Sequence, residues 1–292
     1  MSDITPRVDI AFKKIFGVEE NKDLLISLIN SIVSEEDQVS EVTLLNPYNP
    51  RNFKKDKLSV LDIKAKSEKG HYYNIEMQII DEADYDKRAL YYWGKLYAEQ
   101  MKKSSNYDAL QKTIGIHILN FLSIPESKKY HNVFQLREID TGLHYFKDIE
   151  LHTIELSKFE NGIGLKQDNR DTIISKLKNM LDVWATYFLD DSLLKNAKLP
   201  KLCAIDIIKK AIEVLKEMNF TSQERENYEE HLKWLRVEAS GIKKAEEKKF
   251  AEGKAEGKAE LIKAMISSGV LLEDISKMTG LSLAEIKKLQ SH

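Results

Sequence analysis

A chain of 292 residues is long enough for one large domain or two with a sizeable core. Its 42% hydrophobic content is that of an ordinary soluble protein; no apolar run approaches a membrane span, and the polar start lacks a signal-peptide core, so neither a membrane nor a secreted protein is expected. The formal net charge of −2 argues against strong non-specific DNA binding by the whole surface, and the single cysteine, Cys203, excludes an internal disulfide and suits a reducing cytoplasm.

Thr5-Pro6 is a good helix start, as N-cap and first-turn proline, with Val8, Phe12, Ile15 and Phe16 as the buried stripe and Gly17 as the stop. Asp9 and Lys13 are four apart on the surface side and suit an ion pair. A second helix is predicted over 21–33, with Leu24, Leu25, Leu28, Ile29 and Ile32 inward, then a strand over 39–45 and a loop at Asn46-Pro47. Arg51, Lys54, Lys55 and Lys57 make a locally basic approach, able to hold a phosphate backbone although the whole chain is near neutral.

Residues 58–80 hold two runs of alternating character on either side of Glu68-Lys69-Gly70, the pattern of a β-hairpin buried on one face. Leu61, Ile63 and Ala65 share a side, as do Tyr73, Ile75, Met77 and Ile79; Asp62, Lys64 and Lys66, with Asn74, Glu76 and Gln78, take the other. A three-residue loop with Gly70 left-handed sets Ile63 opposite Ile75 and Leu61 opposite Met77, and therefore Asp62 opposite Glu76. Their Cβ atoms would then lie about 5 Å apart. Like charges so close raise a pKa or recruit a metal, and Mg²⁺ is held by one or two carboxylates with water and phosphate oxygens. Gln78 points to the same place, and Lys64 brings positive charge nearby. An ordinary solvated β face, with Lys64 paired to both acids, accounts for the same pattern without chemistry.

Asp81 to Asp84 supplies an N-cap for a helix ending near residue 102, with Ala89, Trp93, Leu96 and Tyr97 on one face and Arg88, Tyr92 and Lys95 on another. The polar face is either solvated or turned to the hairpin. Residues 113–121 read as a strand buried on both faces and therefore central, and two more strands are predicted over 132–139 and 148–156. This order argues a mixed sheet flanked by helices. Beyond 169 only helical patterns remain, over 172–189, over 201–218, and after the capping box Thr221-Ser-Gln-Glu224. Residues 241–260 repeat Ala-Glu-Gly-Lys every four residues, a charged and frayed helical linker or a small-residue stripe that admits a partner helix. The last stretch, with a second capping box at Ser282-Leu-Ala-Glu285, reads as a helix-turn-helix or a small helical docking module.

These motifs together resemble the PD-(D/E)XK nuclease superfamily, and within it the Rpn group, the recombination-promoting nucleases often labelled transposases. The resemblance rests on the Asp62 to Gln78 hairpin, on Asp9-Ile-Ala-Phe12-Lys13-Lys-Ile-Phe16-Gly17, on Arg88-Ala-Leu-Tyr91-Tyr92, on Ile154-Glu155-Leu156-Ser-Lys158-Phe159, and on the Gly-Lys repeat with Thr279-Gly280-Leu281-Ser282. It implies an α/β fold: a restriction-endonuclease-like mixed sheet at 1–168, a helical extension at 169–240, and a linker with a helix-turn-helix-like module at 241–292. It further implies a DNA endonuclease using Mg²⁺ (or Mn²⁺ or Ca²⁺), with Asp62, Glu76 and the Met77 carbonyl as ligands. Gln78, Lys64 and Arg88 complete the catalytic set, and Lys13, Tyr92, Lys54 and Lys55 contact substrate. Gln78 stands where the superfamily usually has Lys, so it can orient a water but offers neither charge nor a proton. A scaffold that binds DNA or a protein without turnover, and an RNase, are the alternatives. Oligomerisation, or a helical partner, is expected through the C-terminal region. No zinc-type His or Cys spacing, phosphate loop or Gly-x-Ser-x-Gly is present in the sequence.

Overall fold

The computed structural model describes residues 4–47, 63–81, 84–101, 106–195, 197 and 205–290, in two compact units, Met1–Lys233 and Trp234–His292. Asp62, Leu61, Lys54, Lys55 and Cys203 lie outside the described residues.

The first unit is a six-stranded sheet between helices. In chain order the strands are β1 (Val42–Leu44), β2 (Ile63–Ser67), β3 (Tyr72–Gln78), β4 (Thr113–Leu119), β5 (His131–Gln135) and β6 (Ile149–Glu155); across the sheet they run β1-β2-β3-β4-β6-β5. β1, β2 and β3 are antiparallel, β3, β4 and β6 are parallel, and β5 returns antiparallel to β6. This is the mixed α/β sheet expected, and every residue of β4 is buried, as an apolar strand with neighbours on both sides requires.

The hairpin has the predicted register, with Ile63 opposite Ile75 and Ala65 opposite Tyr73. Ser67 N donates to His71 O at 2.9 Å and Gly70 N to Ser67 O at 3.0 Å, closing the loop with Gly70 at φ +88°. Only glycine takes this conformation without Cβ strain, and a Cβ here would also meet Gln111 Oε1 at 3.3 Å. Gly70→Ala is therefore expected to lower stability by about 1–2 kcal/mol in urea denaturation.

Around the sheet stand α1 (Asp9–Phe16), α2 (Lys22–Ile32), α3 (Tyr85–Ala98), α4 (Leu156–Ile163), α5 (Arg170–Lys176), α6 (Met180–Asp190) and α7 (Ile205–Lys216). Several boundaries differ from the sequence reading. α1 begins at Asp9 with Val8 at its N-cap, because Thr5 and Pro6 form a preceding turn closed by Val8 N to Thr5 O at 3.3 Å. α3 ends at Ala98, and Asp84 at its N-cap is left-handed (φ 62°) with no side-chain capping bond; its carboxylate pairs with Lys87. The helix expected over 172–189 is two, because Asn179 Oδ1 accepts from Asp182 N at 2.9 Å and opens α6 afresh. β5 stops at Gln135 rather than continuing to 139. Lys13, expected at the surface, is only 4% exposed, and Asp9 lies 3.5 Å from His231 Nε2.

Aromatic rings join the helices on one side: Trp184 of α6 packs on Phe16 of α1 at 5.3 Å and on Tyr187 at 5.5 Å, and its Nε1 reaches Ser27 Oγ of α2 at 3.3 Å. α8 (Ser222–Ser267) starts in this unit at the predicted capping box, with Thr221 N donating to Glu224 Oε2 at 2.7 Å. Lys14 of α1 binds the other oxygen of Glu224 at 3.0 Å. The Ala-Glu-Gly-Lys repeat is continuous helix within α8, and open space surrounds Gly253 and Gly257. In the second unit the end of α8, α9 (Leu272–Thr279) and α10 (Leu283–Gln290) bury Ile262, Ile275 and Ile286 together. The Ser282–Glu285 box opens α10, with Ser282 N donating to Glu285 Oε2 at 2.8 Å.

A buried charge network holds the N-terminal ends of the parallel strands. Glu150 accepts from Lys112 Nζ at 3.1 Å and Gln135 Nε2 at 2.8 Å, and bonds His152 Nε2 at 2.8 Å. Lys112 also donates to Asp37 at 2.7 Å, and His152 Nδ1 meets His131 Nε2 at 3.0 Å. Burial, reinforced by His152, pushes His131 down to about 4 from an ordinary 6.5. Burial pushes the Glu150 carboxyl up, but the bonds from His152, Gln135 and Lys112 outweigh it and hold the group at about 2. Between pH 6.5 and 4 the unfolded chain takes up a proton on His131 that the folded chain refuses, so stability falls as pH drops through that window. The Glu150 contribution, whole above about 4.5, is lost between there and about 2. The melting temperature is therefore expected to be lower at pH 4.5 than at pH 7, and His131→Gln should remove part of the fall above pH 4.5.

Candidate active site

The apolar alternation of β3 fixes the orientation of its polar residues. Tyr73, Ile75 and Met77 fill the core, which turns Asn74, Glu76 and Gln78 to the other face. Glu76 and Gln78 thus reach the C-terminal end of a parallel strand on one side of the sheet, where α/β folds commonly bind ligands. Met77 is 2% exposed with its side chain in the core, so only its main chain is on offer to a metal.

Three residues from the next two elements converge on Glu76. Register sets His117 of β4 level with it, and His117 Nδ1 lies 3.7 Å from Glu76 Oε2. Arg88 of α3, one turn into the helix that follows the hairpin, donates from Nη2 to Glu76 Oε1 at 3.4 Å. Tyr85, one helical turn earlier, links the other two: its hydroxyl is 2.8 Å from His117 Nδ1, and its ring lies 5.2 Å beneath the Arg88 guanidinium. Gly115 permits this packing, since a Cβ there would stand 2.5 Å from Leu151 Cδ2 and 3.0 Å from His117 Nε2.

Glu76 is therefore a 9%-exposed acid whose nearest partners, the Arg88 guanidinium and the His117 ring, stand at 3.4 and 3.7 Å. Strong charge-assisted bonds are nearer 2.7–2.9 Å, which leaves the carboxylate with capacity for another cation. Oxygen donors of this kind suit a hard divalent ion. Among the described residues no group of three or more His, Cys, Asp and Glu could hold a metal by itself. The second expected acid, Asp62, is outside them.

The other expected site residues are placed differently. Gln78 Nε2 donates to Ile80 O at 3.1 Å. Lys64, expected to bring positive charge near the acids, lies on the Glu76 side of the hairpin opposite Asn74, with its Nζ 3.9 Å from Glu99 of α3. Tyr92 is half-buried, its ring edge-on to Tyr91 at 5.4 Å. Glu155, in the motif near 154–159, is fully buried: its carboxylate accepts Ser123 N at 2.6 Å and Ile124 N at 3.1 Å and pairs with Lys158, tying down the loop after β4. His117 and Tyr85 did not stand out in the sequence as site residues. A lone histidine in an apolar strand gives no signal of what it faces until the strand pairing is known.

A family model described as PD-(D/E)XK nuclease family transposase matches residues 6–245. The chain belongs to this family. The match runs past the sheet through α7 and into α8, so it includes all of residues 169–240. No curated protein and no solved structure matches the chain. Family membership supports a nuclease linked to transposition or recombination, with DNA as the substrate class and divalent cations as the usual cofactors. No helix among the described residues is long and apolar enough to cross a membrane.

Proposed function

We propose that the protein is a cytoplasmic DNA endonuclease that hydrolyses phosphodiester bonds with a divalent cation, Mg²⁺ or a substitute such as Mn²⁺. Asp62 and Glu76 would hold the ion, helped by the Met77 carbonyl. The observation that carries this reading is Glu76, a nearly buried acid at a strand end with Gln78 on its face and Arg88 and His117 beside it. When bound, the cation supplies Lewis acidity toward the scissile phosphate and lowers the pKa of a water. Glu76 contributes negative charge and oxygen donors, and Arg88 contributes positive charge within reach of a phosphate. Gln78 orients water by hydrogen bonding and moves no proton. Lys13, Tyr92, Lys54 and Lys55 serve as substrate contacts in this reading.

The alternative, a nuclease scaffold that binds DNA or a protein without cutting, draws on the Gln78 amide, which is engaged with Ile80 O instead of presenting a lysine charge. Incubation of the full chain with supercoiled plasmid and Mg²⁺, beside an EDTA control, separates the two. Nicking that EDTA abolishes supports the endonuclease; DNA binding without nicking supports the scaffold. Cleavage of RNA alone would move the activity to a ribonuclease.

A further inference from the structure

We infer that the β5 edge of the sheet, with the loop that follows it, is the contact surface for a second copy of this chain. β5 is last in the strand order, so one side of its backbone has no strand beside it among the described residues. Edge strands are usually blunted by lysine, proline or inward charge. His131–Gln135 reads His-Asn-Val-Phe-Gln and has none of these. The opposite edge, β1, is blunted by being only three residues long.

The loop beyond β5 is tied down by its own bonds. Glu138 N donates to Leu143 O at 2.9 Å, Arg137 Nη1 to Gly142 O at 3.1 Å, and Thr141 N and Oγ1 to the Glu138 carboxylate at 2.7 and 2.6 Å. Yet this ordered loop presents Leu136, Ile139, Leu143, Tyr145 and Phe146 to water at 51–96% exposure. Val133 and Phe134, consecutive in β5, turn to opposite faces of the sheet; summed with the loop, the seven side chains expose on the order of 800 Å², taking about 150–250 Å² for each large side chain. About 800 Å² is one partner's share of a standard interface. Holding the loop in place beforehand removes much of the ordering entropy that association would otherwise oppose.

A second copy fits best because an antiparallel edge-to-edge contact about a two-fold axis uses the same row of donors and acceptors from both chains. β5 is its own complement, whereas an unrelated protein would need a free edge of its own.

Light scattering on the full chain during size exclusion tests this. The expected mass is twice 33.7 kDa, halved by Ile139→Asp combined with Tyr145→Asp, with circular dichroism unchanged. Both side chains are so exposed that neither substitution threatens the folded monomer. Phe134→Lys, placed in the strand itself, should act in the same direction. A dimer unmoved by the loop substitutions overturns the assignment, and so does a wild type that is monomeric at every concentration.

Discussion

Glu76→Gln is expected to slow Mg²⁺-dependent plasmid nicking by about 10³-fold, equivalent to about 4 kcal/mol of lost transition-state stabilisation. The substitution keeps the shape of the side chain and both neighbours, Arg88 at 3.4 Å and His117 at 3.7 Å, and removes only the charge. Asp62→Asn should cause a loss of the same order if the two acids share one ion, and the double variant should be little worse than either single one. Arg88→Gln should act more mildly, by about 10–100-fold, as expected of a residue that orients a ligand. Folding stability in the Glu76 variant should change by less than about 1 kcal/mol, because its ion pair with the part-exposed Arg88 is long. Gel quantification of nicked product, with thermal melts of each variant, checks all of these. Equal rates for wild type and Glu76→Gln would remove the proposed site.

Trp184→Ala should destabilise the protein by about 3–5 kcal/mol, the range for emptying a buried aromatic site. The indole is fully buried, with rings of Phe16, Tyr187 and Phe188 around it and a bond to Ser27. Its neighbours come from α1 and α2 as well as α6, so the damage cannot stay within the helices after residue 169. A single urea transition displaced as a whole is therefore expected for the first unit. Loss of a separate minor phase, with the main transition unmoved, would make residues 169–240 an appendage. The family match through residue 245 favours the shared core.

The parts of this fold that were legible in the sequence are those set by local chemistry. Alternation around Gly70 fixed the hairpin and its register, because a glycine loop of that length admits few geometries. The apolar run at 113–119 identified the central strand, and the boxes at Thr221 and Ser282 marked helix starts by bonds between neighbours. The break between α5 and α6 is also written, in the capping residue Asn179, but an apolar stripe through Leu177 and Leu181 keeps helical spacing across it and masks it. What the sequence could not show depends on chain segments far apart. The level placement of His117 beside Glu76 comes from a parallel pairing across a helical crossover, which no turn dictates. Burial of Lys13 and capture of Lys64 by Glu99 likewise arise only when helices settle on the sheet.

The proposed function requires Glu76 and Asp62 to bind one divalent cation between them. Titration of the full chain with Mn²⁺, followed by electron paramagnetic resonance, reads that directly and without DNA. One tight site in wild type, weakened at least about tenfold by Asp62→Asn and by Glu76→Gln alike, is the result predicted. A wild type that leaves Mn²⁺ free in solution, or variants that bind it as wild type does, would contradict it.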